Sequence, residues 1–215
     1  MPRLVFEKKS DSVWISHLDT MRVFQRAFRR AGVMLKHSQG FTPRAIVSIA
    51  LPLSVGVESE CELLDYELEE GTVTAEQLNI VLPAGIRVLE IVNSTRKIKE
   101  LMYLRAKLIL SYDRSVSEEV LEDLRKLYSQ EHLILKKHSR KGETETDILP
   151  MLHEIGIQKV ADNRIEINVL VNAQNPALNP QLLINAIELY APEMMPSSVQ
   201  IRRIEIFDAQ KNVFR

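Results

Sequence analysis

The hydrophobic pattern is clearest between residues 16 and 32, where it predicts one amphipathic helix. At 100° per residue, five apolar side chains share one face and four arginines gather on the opposite face. Ser16 followed by Asp19 is typical of a helix start, and Gly32 is typical of a helix end. The apolar face contains Met21, Phe24, Ala27, Phe28 and Ala31, and the basic face contains Arg22, Arg26, Arg29 and Arg30. We expect the apolar face to cover a sheet and the arginines to remain outside.

Alternating apolar and polar residues predict strands on both sides of this helix. The expected elements are strands at 3–8, 44–51, 60–69 and 86–92, with a short helix between residues 74 and 82. The order strand, helix, strand, strand, helix, strand is that of the split βαβ, or ferredoxin-like, fold. In the third strand, the side that carries Asp65, Glu67 and Glu69 is predicted to face solvent.

The same order of elements recurs after a polar and charged stretch at residues 94–101. Strands are predicted at 102–112, 132–137, 164–171 and 199–207, and helices at 115–129 and 179–190. Residues 144–152 are predicted to be a hairpin partner or a short connection. The predicted fold class is therefore α+β, with tandem ferredoxin-like (βαββαβ) domains at residues 1–93 and 102–215, joined by a linker at 94–101.

The formal net charge of −1 conceals a strong asymmetry along the chain. Residues 1–50 contain nine Lys or Arg and three Asp or Glu, whereas residues 51–100 contain four and ten. All four basic residues of the predicted helix are arginine, whose planar guanidinium binds phosphate or carboxylate through two hydrogen bonds. The basic face is therefore either a solvated charged surface or a binding site for an anion.

Further basic residues extend this candidate site beyond the helix. Lys36, His37 and Arg44 flank a Gly- and Pro-containing loop at residues 38–43. A second basic patch lies at a predicted hairpin tip in the other half of the chain, where it is either solvated or a second phosphate contact. The candidate binding residues are Arg22, Arg26, Arg29, Arg30, Lys36, His37, Arg44, Lys136, Lys137, Arg140 and Lys141.

Several classes of protein are disfavoured by the sequence. The single cysteine, Cys61, excludes an internal disulfide and a cluster ligated only by cysteines of this chain, and we expect it to be a core residue. The five histidines lack metal-site spacing, and no P-loop, dinucleotide fingerprint or Gly-x-Ser-x-Gly motif is present. No apolar run approaches the roughly 20 residues of a membrane span. We expect no metal, no cofactor, no membrane partner and a cytoplasmic location.

The run SHLD…RRAG…SQGF.P…PL..GVES resembles the radical SAM-linked family, small bacterial proteins of uncharacterised activity fused to or encoded beside radical SAM proteins. The resemblance covers residues 16–69 closely, and the stretch Asp147-Ile148-x-Pro150 resembles the weaker pattern in the second half of that family. It implies a radical SAM protein as a partner. It also implies that any radical chemistry takes place on another polypeptide.

These observations favour a non-catalytic accessory module that binds an anionic substrate, with RNA as the expected substrate, in association with a radical SAM enzyme. A metal-independent RNA endonuclease is the enzymatic alternative, since the tandem fold resembles that of the CRISPR repeat-processing endoribonucleases. In that case His17 or His37 would act as general acid or base. A structural subunit whose arginine helix docks on an acidic protein face is the third possibility. Aromatic residues make up only 6% of the chain, and no RNA-recognition motif of the aromatic type is present.

Overall fold

The structure, a computed structural model, describes residues 1–139 and 142–215, with the backbone alone at 137–139 and 142–143. The chain divides into two compact units, residues 1–100 together with 213–215, and residues 101–212. The described residues form a mixed α+β fold with four α-helices and mostly antiparallel strand pairing. None of the described helices is long and apolar enough to cross a membrane.

The first unit has the predicted order of elements. Its strands pair in the order β4-β1-β3-β2, and all neighbours are antiparallel. The predicted strand at 44–51 shortens to three residues, because residues 44–46 pair with residues 36–38 and close a loop. The elements are β1 (Pro2–Lys8), α1 (His17–Arg30), β2 (Val47–Ile49), β3 (Glu58–Tyr66), α2 (Ala75–Val81) and β4 (Ile86–Asn93).

The second unit contains a sheet of four strands and a separate hairpin. The sheet order is β10-β5-β9-β8 with antiparallel neighbours, and within the described residues β6 pairs with β7 alone. Helices α3 and α4 lie in sequence between β5 and β6 and between β9 and β10. The elements are β5 (Leu101–Ser111), α3 (Glu118–Tyr128), β6 (Ile134–Ser139), β7 (Gly142–Asp147), β8 (Leu152–Ala161), β9 (Arg164–Asn172), α4 (Gln181–Tyr190) and β10 (Ser198–Asp208).

One predicted strand of the second unit has a different place from the one that the predicted order of elements implied. The segment predicted at 132–137 is not the second strand of the main sheet, because it forms the β6–β7 hairpin. Strand β8, which the sequence pattern left unassigned, takes that place beside β9. In the part of the chain that the structure describes, β8 has a neighbour on only one side, and all of its residues are exposed or half-buried, which weakens the apolar alternation. The predicted hairpin partner at 144–152 is confirmed in part by β7.

Helix α1 packs its apolar face on the sheet of the first unit. The Phe24 ring lies 4.6 Å from that of Phe6 in β1, and the Phe28 ring lies 4.8 Å from that of Tyr66 in β3. All four rings are at most 2% exposed. Full burial of one such side chain contributes about 1.5–3 kcal/mol, so these contacts fix the position of α1. Cys61 is buried in β3, as predicted.

A buried ion pair contradicts the prediction that the acidic side of β3 faces solvent. Asp65 is 8% exposed, and the Arg3 guanidinium donates to its two carboxylate oxygens at 2.6 and 3.0 Å. Arg3 also donates to the Ser94 hydroxyl at 3.1 Å. An ion pair with two parallel hydrogen bonds and further hydrogen-bond partners can be buried. The alternation of polar and apolar residues shows only that Asp65 is acidic and does not show that it has a buried partner.

The last three residues belong to the first unit, not to the second as the predicted range 102–215 implied. Phe214 is fully buried, and the guanidinium carbons of Arg3 and Arg96 lie 5.2 and 4.4 Å from the centre of its ring. Arg215 donates to Glu90 at 2.7 Å. Cation–π contacts with these two arginines explain why the Phe214 ring packs in the first unit, although it is far from residues 1–100 in sequence. The ranges 1–93 and 102–215 remain predictions about independently folding domains.

Replacing Asp65 by Ala should lower the free energy of unfolding by about 3–5 kcal/mol, because the buried Arg3 guanidinium would lose its counter-charge. The joint change Arg3→Met with Asp65→Leu should recover most of that loss, since two apolar side chains would then fill the space. Urea denaturation of the three proteins measures both effects. A loss below about 1 kcal/mol for Asp65→Ala would contradict a buried, mutually dependent pair.

Candidate anion-binding groove

Local sequence signals define both ends of α1. At the start, the Ser16 hydroxyl accepts a hydrogen bond from the Asp19 amide at 3.2 Å and donates to the Asp19 carboxylate at 2.7 Å. The hydrogen bond from this hydroxyl is the larger cause, and that from the Arg22 guanidinium the second, of a pKa of Asp19 that lies below its usual value. At the end, the amides of Gly32 and Val33 donate to the helix carbonyls of Arg29 and Phe28 at 3.1 and 3.0 Å. This pairing is a Schellman motif, in which Gly32 adopts the left-handed conformation (φ +77°).

The two faces of α1 are those that the periodicity predicted. Phe24, Ala27 and Phe28 are fully buried. The four arginines are exposed. Because the apolar face is fixed on the sheet, the arginines are held along the outer side of the helix.

The chain after α1 returns toward the helix through a closed loop. His37 and Ala45 form an isolated antiparallel bridge. Inside it, the Ser38 amide donates to the Arg44 carbonyl at 2.8 Å, and the Arg44 amide donates to the Ser38 hydroxyl at 3.1 Å. These contacts hold the two ends of the loop together, so that His37 and Arg44 are close in space.

An open groove of about 490 Å³ lies between the second half of α1 and this loop. Three arginines and one histidine from the predicted set line it, two from the helix and two from the ends of the loop. We refer to it as the arginine groove, defined by Arg26, Arg29, His37 and Arg44. Its remaining lining residues are Gln25, Val33, Met34, Leu35, Pro43 and Ala45. It therefore combines cationic side chains with an apolar wall.

Three other residues of the predicted set have partners elsewhere. Arg22 pairs with Asp19 at 2.7 Å, one helical turn away. Arg30 donates to the Val81 carbonyl at 2.6 Å, and Lys36 pairs with Glu67 at 3.1 Å. None of the three lines the arginine groove. Sequence proximity thus grouped more residues than the fold brings together.

The cations of the arginine groove are largely uncommitted. Within residues 1–139 and 142–215, the side chains of Arg29 and Arg44 make no hydrogen bond or ion pair. For Arg26, the described residues show an electrostatic interaction with the Asp19 carboxylate and no hydrogen bond from its side chain. Each of these guanidinium groups keeps five donors in a fixed planar arrangement. The groove can therefore receive phosphate or carboxylate oxygens without first breaking an internal contact.

The second predicted patch is only partly described. Lys136 is an exposed residue of β6, Lys137 lies in the same strand, and Arg140 and Lys141 lie outside the described residues. At the base of this hairpin, the Asp147 carboxylate accepts the amides of residues 133 and 149 at 3.0 and 3.2 Å. The acidic residue of the stretch Asp147-Ile148-x-Pro150 thus has a structural role.

The two candidate catalytic histidines are in different places. His37 lines the arginine groove, whereas His17 lines a small cavity with Lys8, Thr20 and Glu62. The Lys8 ammonium, in a residue 1% exposed, donates to the Ile15 carbonyl at 2.6 Å. Burial lowers the pKa of Lys8, and the Glu62 carboxylate opposes this effect. Sequence reasoning missed this cluster, although Lys8 follows Leu4 and Phe6 on the inward face of β1 at period two.

No cluster of three or more His, Cys, Asp or Glu side chains suitable for a metal occurs among the described residues.

The chain belongs to the family described as "Uncharacterized protein conserved in bacteria (DUF2344)", which matches residues 2–180. Membership of an uncharacterised bacterial family, expected from the sequence, is confirmed. The connection with radical SAM proteins that the resemblance also implied stays a prediction. No curated protein matches the sequence.

Solved structures with a similar fold include a chain of a Cbf5-Nop10-Gar1 complex, with a TM-score of 0.55 and 8% identity over 95% of this chain and 48% of that chain. An archaeal box H/ACA sRNP Nop10-Cbf5 complex gives a TM-score of 0.50 at 10% identity, over 94% and 46%. An H/ACA RNP bound to a substrate RNA gives 0.50 at 9% identity, over 94% and 46%. The chain spans about half the length of these chains. At such identities the likeness establishes the fold alone.

The joint change Arg26→Glu with Arg29→Glu should leave the fold intact, because both side chains are exposed and uninvolved in core packing. We expect the free energy of unfolding to change by no more than about 0.5 kcal/mol per substitution. Phe28→Ala on the opposite face should instead lower it by about 3–5 kcal/mol. Urea denaturation followed by circular dichroism measures both. Unfolding of the double arginine variant would mean that these residues have a structural role.

Proposed function

We propose that this DUF2344 chain is a non-catalytic accessory module that binds an anionic ligand, RNA, through the arginine groove. The observation that carries the proposal is the convergence of Arg26, Arg29 and Arg44 on one open groove. Among the described residues, the side chains of Arg29 and Arg44 have no partner. A cluster of like charges repels itself, and a bound polyanion relieves that repulsion.

The shape and chemistry of the groove favour a phosphate chain over a single small anion. The groove is open to solvent, and its cations come from two elements that are separate in sequence. Arginine binds phosphate oxygens through two parallel hydrogen bonds. Each neutralised phosphate also releases a condensed counterion, so that several weak contacts add up to a salt-dependent affinity.

RNA is the polyanion to test first. Two of the solved structures with a similar fold are named as H/ACA ribonucleoproteins, and one of these ribonucleoproteins is bound to a substrate RNA. Those names describe other proteins, at 9–10% identity. For this chain, those names serve only to select RNA as the first ligand of the binding experiment.

As a further part of this proposal, each of the two units is a ferredoxin-like domain. If the strands of the main sheet in each unit are numbered in chain order, both sheets have the order fourth, first, third, second, with antiparallel neighbours. That order, with one helix after the first strand and one after the third, is compatible with the split βαβ plan. The β6–β7 hairpin would then be an insertion after the first helix of the second domain.

A radical SAM protein is the proposed partner, on the basis of the sequence resemblance. The single cysteine of this chain cannot provide the several thiolates that an iron–sulfur cluster requires. In this proposal, the partner would carry the radical chemistry and this chain would hold the substrate.

Metal-independent RNA cleavage is a second candidate because His37 lies in the same groove as three arginines. An imidazole next to a bound phosphodiester can act as a general base, and a guanidinium can stabilise the developing charge. His17 lines a different cavity, so this candidate depends on His37. Shortened RNA products that disappear with His37→Ala would favour the enzyme over the binding module.

Binding of a fluorescent oligoribonucleotide should weaken at least about tenfold in Arg26→Glu with Arg29→Glu, since two phosphate contacts are lost and two repulsions are added. The slope of log affinity against log salt should flatten by roughly one unit per lost contact. The matched control is Arg22→Glu with Arg30→Glu, which changes the net charge equally on the same helix but outside the groove. Fluorescence anisotropy at several salt concentrations measures all three proteins.

Equal weakening by both double variants would mean that the overall charge of α1 attracts RNA without a defined groove. Absence of RNA binding by the unmodified protein would overturn the proposal. Tighter binding of polyglutamate than of RNA would favour the structural subunit that docks on an acidic protein face.

A further inference from the structure

Phe41 is the most exposed large hydrophobic residue in the described part of the chain, with an exposed fraction of 110%. The other exposed aromatic side chains are Trp14 at 70% and Tyr190 at 46%. Water therefore surrounds the entire Phe41 ring. Scattered exposed apolar residues are common at protein surfaces, but a full aromatic ring without any packing partner is unfavourable unless something covers it.

The loop presents this ring next to the arginine groove. Phe41 lies in the middle of the loop that the Ser38–Arg44 pairing closes. Pro43, two residues later, lines the groove together with Arg44. Consecutive Cα atoms are 3.8 Å apart, so the Cα atoms of Phe41 and Pro43 are separated by at most about 7.6 Å. One extended ligand can thus contact the ring and the groove together.

The charges around the ring identify the class of ligand. No Asp or Glu occurs anywhere in residues 20–57, which include most of α1, the loop and strand β2. Lys36 is paired with Glu67, the residue that follows β3, and His37 and Arg44 are the titratable groups at the two ends of the loop. The surface therefore combines positive charge with one exposed aromatic ring. Single-stranded nucleic acids bind to this combination, with phosphates on the cations and a base on the ring.

We propose that Phe41 stacks on an unpaired base of a single-stranded RNA segment whose phosphates occupy the arginine groove. This inference rests on the proposed function and specifies its substrate as single-stranded. The bases of an A-form duplex are stacked on one another and lie within grooves, so they offer no free face to a side chain. Stacking also accepts any base, so Phe41 contributes affinity without requiring a particular sequence.

The test compares Phe41→Ala, Phe41→Leu and Phe41→Trp on three probes: a single-stranded oligoribonucleotide, a blunt-ended RNA duplex with the same number of phosphates, and inorganic polyphosphate. Phe41→Ala should weaken binding of the single strand by between about 5-fold and 150-fold, the range for one stacked base. Phe41→Leu, which keeps an apolar side chain without a ring, should weaken it similarly. Phe41→Trp should bind at least as tightly as the unmodified protein.

Binding of polyphosphate and the salt slope should stay unchanged in all three variants, because the groove cations are intact. A single strand that contains 2-aminopurine should lose fluorescence on binding to the unmodified protein and not to Phe41→Ala. If Phe41→Leu binds like the unmodified protein, or if the duplex binds as tightly as the single strand, the stacking proposal is wrong. The proposal would also be overturned if Phe41 bound in an apolar pocket of a partner protein while Phe41→Ala left the affinity for RNA unchanged.

The two proposals fail in distinguishable ways. If Arg26→Glu with Arg29→Glu abolishes RNA binding while Phe41→Ala leaves it unchanged, the groove binds RNA and Phe41 does not stack. If the unmodified protein binds neither RNA nor polyphosphate, both proposals are overturned.

Discussion

Burial of the apolar face of α1 against the sheet of the first unit is the constraint on which the candidate site depends. Phe24 and Phe28 contact rings from β1 and β3, and those contacts leave one rotational setting for the helix. In that setting Arg26 and Arg29, three residues apart, project next to each other. Their mutual repulsion is offset in part by the partial negative charge of the helix C-terminus, close to which Arg29 lies. Core packing thus determines where the positive charge is concentrated.

The local features of α1 could be predicted from the sequence because they depend on residues close together in the chain. The Ser16 cap, the Gly32 end and the two faces follow from hydrogen bonds and periodicity within one helix. The composition of the groove could not be predicted in the same way. Whether Arg22 pairs with Asp19 or Arg30 reaches the Val81 carbonyl depends on rotamers and on distant residues, which periodicity does not report.

Buried charges account for a second group of differences. Asp65 occupies a position in β3 that alternation alone cannot assign to the interior, since a carboxylate is normally exposed unless it has a partner. The partner of Asp65 is Arg3, 62 residues away. The β8 strand was missed for the opposite reason, because its exposed and half-buried residues, including Gly156, lack a clear apolar alternation. Both cases need information about contacts between distant parts of the chain.

The position of Phe214 affects how the first unit is completed during protein synthesis. A ribosome produces residues 101–212 before it adds the ring that packs against Arg3 and Arg96. While the nascent chain grows, the first unit therefore lacks one of its fully buried side chains. The unit that begins first in translation reaches its final packing only after the second unit has been synthesised.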